Sequence, residues 1–163
     1  MDWFTILTRA FWCGCAAAGF GILFNAPTRS LIPIWIGGCV AGLIKFTALS
    51  PGIGMGVIIS SFLAASAAGL VGIPTSRWRD VPLVIVTIPS IIPLVPGVFA
   101  YRAMMGLMKL SRHTSVDYST VIADTVYNGV LALFVMVAIT FGIAIPLFLF
   151  GVRLRKAFGL TVK

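Results

Sequence analysis

The chain has 163 residues, of which 60% are hydrophobic and only 10% charged. This composition excludes a soluble domain with a polar shell and identifies an all-α integral membrane protein, expected as a single transmembrane domain over residues 1–163. Twelve Lys and Arg oppose four Asp, giving a net charge of +8, but the basic residues punctuate apolar spans. No basic stripe lies on a soluble face, which excludes nucleic acid as a partner and makes the charge a matter of membrane topology.

The first span is predicted over about residues 3–24, with small residues at Ala10, Gly14 and Ala18 and at Cys13, Ala17 and Gly21. It carries no A-x-A-like cleavage site, so it is kept as a span rather than a signal peptide. Cys13, Cys15 and Cys39 are odd in number and sit in apolar segments, so they form no disulfide framework. Cys13 and Cys15 lie about 200° apart on a helix, so they do not jointly hold a metal. Asn25 is expected to cap the helix end, and Pro27 stops its continuation in the turn that ends at Arg29.

The second span covers about residues 31–49 and holds Lys45 inside its apolar run. Ser50 and Pro51 read as the N-cap and first residue of a third span over about 52–73. Along that span Gly52, Gly56, Ser60, Ala64, Ala68 and Gly72 recur every fourth residue, beside Ser61, Ala65 and Gly69. This row predicts close helix packing in lipid, at the centre of the domain or at a subunit contact. A polar loop with an interfacial Trp78 follows.

The fourth span, about residues 81–110, is interrupted by Pro89, Pro93, Pro96 and Gly97. Each proline lacks an N–H, so the carbonyls of Ile85, Pro89 and Ile92 lose their helical donors. Broken backbone inside a membrane survives where protein or a water-filled cavity satisfies it. Pro96-Gly97 suits the start of a second half-helix, whose free N–H groups attract an anion near the midplane. A tolerated proline kink is the alternative. Tyr101 and Arg102 follow closely, and Arg102 and Lys45 are intramembrane cations that either line a cavity or snorkel to the interface.

A polar stretch with Arg112, His113 and Asp117 leads to the last span, about residues 120–150. Asp124 and Asn128 share a helix face there. Asp124 is a candidate to pair with Arg102 or Lys45, to carry a coupling proton, or to cap the helix. If the broken segment crosses the bilayer once, five spans place Arg29, Arg77, Arg79, Arg153, Arg155, Lys156 and Lys163 on one side and Lys109 and Arg112 on the other. That asymmetry predicts a cytoplasmic C-terminus and an outer N-terminus. No metal cluster, phosphate-binding glycine loop or catalytic motif is present, so no enzyme, metal or cofactor is expected.

The stretches Phe24-Asn25-Ala26-Pro27-Thr28-Arg29, Ser76-Arg77-Trp78 and Ile88-Pro89 through Pro93-Leu94-Val95-Pro96-Gly97-x-x-Ala100-Tyr101 resemble the threonine/serine exporter family. Asn128 and Ile145-Pro146 fit as well. The resemblance is narrower to the small membrane subunit of the split, two-component form. It implies export of L-threonine and L-serine, or of succinate as a dicarboxylate, across the inner membrane at the expense of the proton gradient. It also implies a companion membrane subunit that supplies the other half of an inverted repeat, with a second copy of this chain as another candidate partner. The substrate ligands expected are Pro93, Pro96, Gly97, Tyr101, Arg102, Lys45 and Asn128, with Asp124 as the proton carrier. A membrane scaffold that packs a partner through the Gly52–Gly72 row, without transport, is the alternative.

Overall fold

A computed structural model describes residues 2–111 and 118–157, and within the last helix the side chains of 147 and 149–157 are not included. The polar stretch holding Arg112, His113 and Asp117, the side chains of Arg153, Arg155 and Lys156, and Lys163 therefore lie outside the described residues. The described residues are helical, without strands: α1 Trp3–Leu23, α2 Leu31–Ala48, α3 Val57–Trp78, α4 Leu83–Ile91, α5 Gly97–Ser111 and α6 Tyr118–Ala157. Short 3-10 turns occupy Thr28–Ser30 and Ile92–Leu94. Among the described residues four helices are long and apolar enough to cross a membrane, or five if α4 and α5 count as one broken span. The protein is an all-α multi-pass membrane protein.

The expected interruption lies where the prolines put it. Helix α4 gives way to a 3-10 turn at Ile92, and α5 starts afresh at Gly97. The turn after α1 also follows the sequence. Asn25 adopts φ +55°, Ala26 N–H bonds the Gly21 carbonyl at 3.0 Å and Asn25 N–H bonds that of Ile22 at 2.9 Å. This is a Schellman cap closed by an asparagine. Its counterpart after α3 uses Asp80 at φ +50°, with Val81 N–H bonding Ser76 O at 3.0 Å.

The third helix departs from expectation at both ends. It begins at Val57, so Gly52 and Gly56 lie before it, exposed, with open space where a side chain would project. Ser50 and Pro51 do not start it. The Ser50 carbonyl accepts N–H groups from Ile53 and Gly54, a single turn that Gly54 ends at φ +64°. Three glycines in five residues favour a turn over a helix start, and Gly56 becomes the cap residue. At the other end α3 continues through Pro74 to Trp78. The Thr75 and Ser76 hydroxyls donate to the Val71 and Ile73 carbonyls at 2.7 and 2.9 Å, keeping that last turn polar-satisfied.

The chain divides into two compact units. The first comprises residues 1–94 and 138–163. At its centre α2 packs against α1, α3 and α4. Helices α1 and α2 meet backbone to backbone: a Cβ on Gly38 would stand 2.6 Å from the Ala17 Cβ and 3.1 Å from the Gly14 Cα. Ser60, Ala64, Ala68 and Gly72 of α3 are buried, as are Ser61, Ala65 and Gly69. Part of that surface receives the last helix, where Gly142 lies against the Phe62 carbonyl and Gly69 against Pro146. Ala17, Ile34, Val81 and Val86 form an apolar cluster, with Ala26 packed on it. The second unit, residues 95–137, pairs α5 with the first half of α6.

Candidate functional site

The expected site residues fall into two groups, one in each unit. In the first unit they gather at the end of α4. Lys45 Nζ donates to the Leu94 carbonyl at 2.9 Å, across 49 residues of sequence. That carbonyl lies at the end of the 3-10 turn, where the helix stops and its next donor is missing. The sequence pointed to the carbonyls of Ile85, Pro89 and Ile92; the one that takes a side-chain cation is Leu94. Lys45 therefore turns inward rather than snorkelling. Pro93 is half-buried beside it in sequence, and Leu94 is buried.

A second tie holds the same helix end. Ser90 Oγ lies 2.8 Å from the Val86 carbonyl and 3.1 Å from the Ile34 carbonyl of α2. Gly37 makes room for it, since a Cβ there would stand 2.5 Å from Ser90 Oγ. On α3, Gly72 does the same for Thr87, with a Cβ 2.8 Å from its hydroxyl. Helix α4 thus presses its two hydroxyls into glycine notches on its neighbours.

In the second unit the Pro96 carbonyl accepts the Ala100 N–H at 3.1 Å, so α5 opens there as expected. Gly97 N–H turns back to Val95 O at 2.8 Å, which leaves the N–H groups of Val98 and Phe99 as the free donors of the first turn. Pro96 is buried and Gly97 exposed. Beyond this start lies a cavity of about 490 Å³ between α5 and α6. Tyr101, Arg102 and Lys109 line it from α5, and Asp124, Thr125, Tyr127 and Asn128 from α6. Gly106 lets the helices approach, because a Cβ there would collide with the Thr125 hydroxyl. Asn128 Nδ2 donates to the Asp124 carbonyl at 2.7 Å, which fixes the amide on the face it shares with Asp124. Thr125 Oγ1 donates to Val121 O at 2.6 Å, leaving its lone pairs for an incoming donor.

Tyr101, Arg102, Asp124 and Asn128 are thus brought together, whereas Lys45 and Pro93 belong to the first unit. Lys109 and Tyr127 were not among the expected ligands. Their spacing carries the signal: Lys109 follows Arg102 by seven residues and Tyr127 follows Asp124 by three, which places each pair on one helical face. Asn25, Pro27 and Arg29 shape the turn after α1, and Asn25 shares a pocket with Ile85, Ile88 and Pro89 of α4.

Among the described residues, an interrupted helix pair and four to five candidate membrane spans, with a cavity lined by Arg102, Lys109 and Asp124, are those of a multi-pass membrane protein. The family model described as "Threonine/Serine exporter, ThrE" matches residues 9–149. The chain belongs to the threonine/serine exporter family. That family is one of exporters, not a class of enzymes. No solved structure matches the chain.

Proposed function

We propose that the chain is the membrane subunit of a secondary exporter for a small zwitterionic amino acid, L-threonine or L-serine, driven by the proton gradient. One observation carries this: Arg102 and Asp124 stand on the two walls of a single cavity. A guanidinium and a carboxylate on opposing walls match the carboxylate and ammonium of an α-amino acid. Asn128 and Thr125, on the wall with Asp124, suit the substrate hydroxyl. The volume lies in the range of small-molecule pockets, about 300–1,000 Å³. Intramembrane charges of this kind mark a pathway. Tyr101 supplies a further polar contact, and the opening turn of α5 around Pro96 and Gly97 supplies free N–H groups for a carboxylate. Asp124 is also the candidate for the proton carrier of the exchange.

The second substrate, a dicarboxylate such as succinate, is favoured by Lys109, which gives the same cavity a second cation. The two substrates separate at Asp124. Efflux of labelled L-threonine and labelled succinate is measured from cells carrying Arg102→Gln, Asp124→Asn and Lys109→Gln. For the amino-acid exporter, Arg102→Gln and Asp124→Asn each lower threonine efflux at least about tenfold, the scale of a charge-assisted contact. Threonine efflux untouched in Asp124→Asn, with succinate efflux lost in Lys109→Gln, selects the dicarboxylate. Normal efflux of both in cells that lack this chain but retain its partner selects the scaffold.

The chain forms half of the transporter. A companion membrane subunit, or a second copy, supplies the other half, and the pair lies in the inner membrane with this N-terminus outside. The distribution of Lys and Arg supports that orientation.

A further inference from the structure

We propose that Lys45 is a positioning residue, which holds the end of α4 against α2 and does not bind the transported carboxylate. The helix end it holds is built to need it. Leu94 closes a 3-10 turn and is buried, so water does not reach its carbonyl, and the next helix starts only at Gly97. A buried carbonyl without a donor is strongly unfavourable. The C-terminal end of a helix also carries partial negative charge, which a cation complements. Lys45 answers both demands with one N–H, 2.9 Å from the oxygen. Ser90 adds a weaker tie from the same stretch to α2, its one hydroxyl proton shared between the Val86 carbonyl at 2.8 Å and the Ile34 carbonyl at 3.1 Å, and Gly37 is the notch that admits it.

The two ties lie at different heights on α2. Ile34 and Gly37 belong to its first half, and Lys45 to its last turn. Together they fix both where α4 sits and where it ends. Leu94 is the last residue of this part of the first unit, so the bond holds the point at which the broken helix ends. A substrate ligand, by contrast, must exchange partners in every cycle. An ammonium engaged with a buried carbonyl is poorly placed to do so, and Arg102 already offers an open cation in the cavity.

The transport arm of the test rests on the exporter reading; the labelling arm does not. The full chain, with its partner subunit, is expressed with Cys13, Cys15 and Cys39 replaced by alanine and with Leu94→Cys as reporter, since Leu94 is buried and its backbone carbonyl is kept. Reaction with N-ethylmaleimide in membranes reads how firmly the break is held. Lys45→Met is expected to raise the labelling rate at least about tenfold, the population change that follows loss of a charge-assisted hydrogen bond. Lys45→Arg, which keeps a charged donor, is expected to restore protection. In efflux, Lys45→Met is expected to lower the maximal rate several-fold with KM for L-threonine unchanged. Labelling that does not change in Lys45→Met overturns the proposal. So does a raised KM at an unchanged maximal rate, which identifies a ligand. If Lys45→Met fails to reach the membrane, Lys45→Arg decides alone: protected labelling supports the tie, and rapid labelling overturns it. If no efflux is measurable even in the unmodified protein, the exporter reading fails while the labelling result still stands.

Discussion

Asn25 and Asp80 both take left-handed backbone, and both close a helix by the same pair of hydrogen bonds. A β-branched side chain in that conformation costs about 1–2 kcal/mol, whereas glycine accepts it freely. Asn25→Val is therefore expected to lower stability by about 1–2 kcal/mol and Asn25→Gly to leave it nearly unchanged, as read by denaturant unfolding in detergent. Equal losses in the two variants would show that the asparagine side chain, not its backbone freedom, holds the turn. The turn was legible in the sequence because Asn-x-Pro has a local cause. The partner of Lys45 was not, since a carbonyl 49 residues away leaves no trace in local pattern. Likewise Arg102 and Asp124 were each visible as charges inside spans, but only the pairing of α5 with α6 places them on one cavity.

The helices are positioned by glycines at contacts and by prolines at stops, and these act oppositely under substitution. Gly38 faces the α1 backbone, with Cys13 O only 3.0 Å from where a Cβ would stand, whereas Gly52 faces open space. Gly38→Leu is expected to destabilise the protein by about 1–3 kcal/mol or more through overpacking, with Gly52→Leu near neutral. Thermal aggregation of the solubilised protein compares them, and the reverse order would contradict the packing. At the break, the double change Pro96→Ala with Gly97→Ala restores helix propensity where the chain stops. It is expected to abolish efflux while membrane insertion, read by carbonate extraction, is retained; unaltered efflux would remove the break from the transport path. Four-residue spacing found the four buried members of the row, Ser60, Ala64, Ala68 and Gly72, because helix packing repeats at that period. It failed at Gly52 and Gly56, where glycine content favours a turn. The glycine notches of α2 escaped it, because what makes Gly37 and Gly38 matter is the helix opposite.

For the whole molecule, the number of crossings decides which sides the two ends occupy. Among the described residues, four long helices plus α4 and α5 as one interrupted span make five, so the ends are expected on opposite faces. Protease access to tags at each terminus, in right-side-out and inverted vesicles, tests this; tags cut from the same face would mean that α4 and α5 form a re-entrant pair. The order of helices along the chain also dictates when each contact becomes available. Helix α1 can meet α2 as soon as about fifty residues exist, but Lys45 has no carbonyl to hold until Leu94 has been made. At synthesis rates of about 5–20 residues per second, that leaves the ammonium waiting roughly 2–10 s at the membrane. Until α4 arrives, α2 is a span carrying an unpaired cation. Its last turn is expected to stay near the headgroups and to slide inward only when α4 enters the bilayer. The hydrogen bond from Lys45 to the Leu94 carbonyl is thus also expected to complete insertion of the helix opposite.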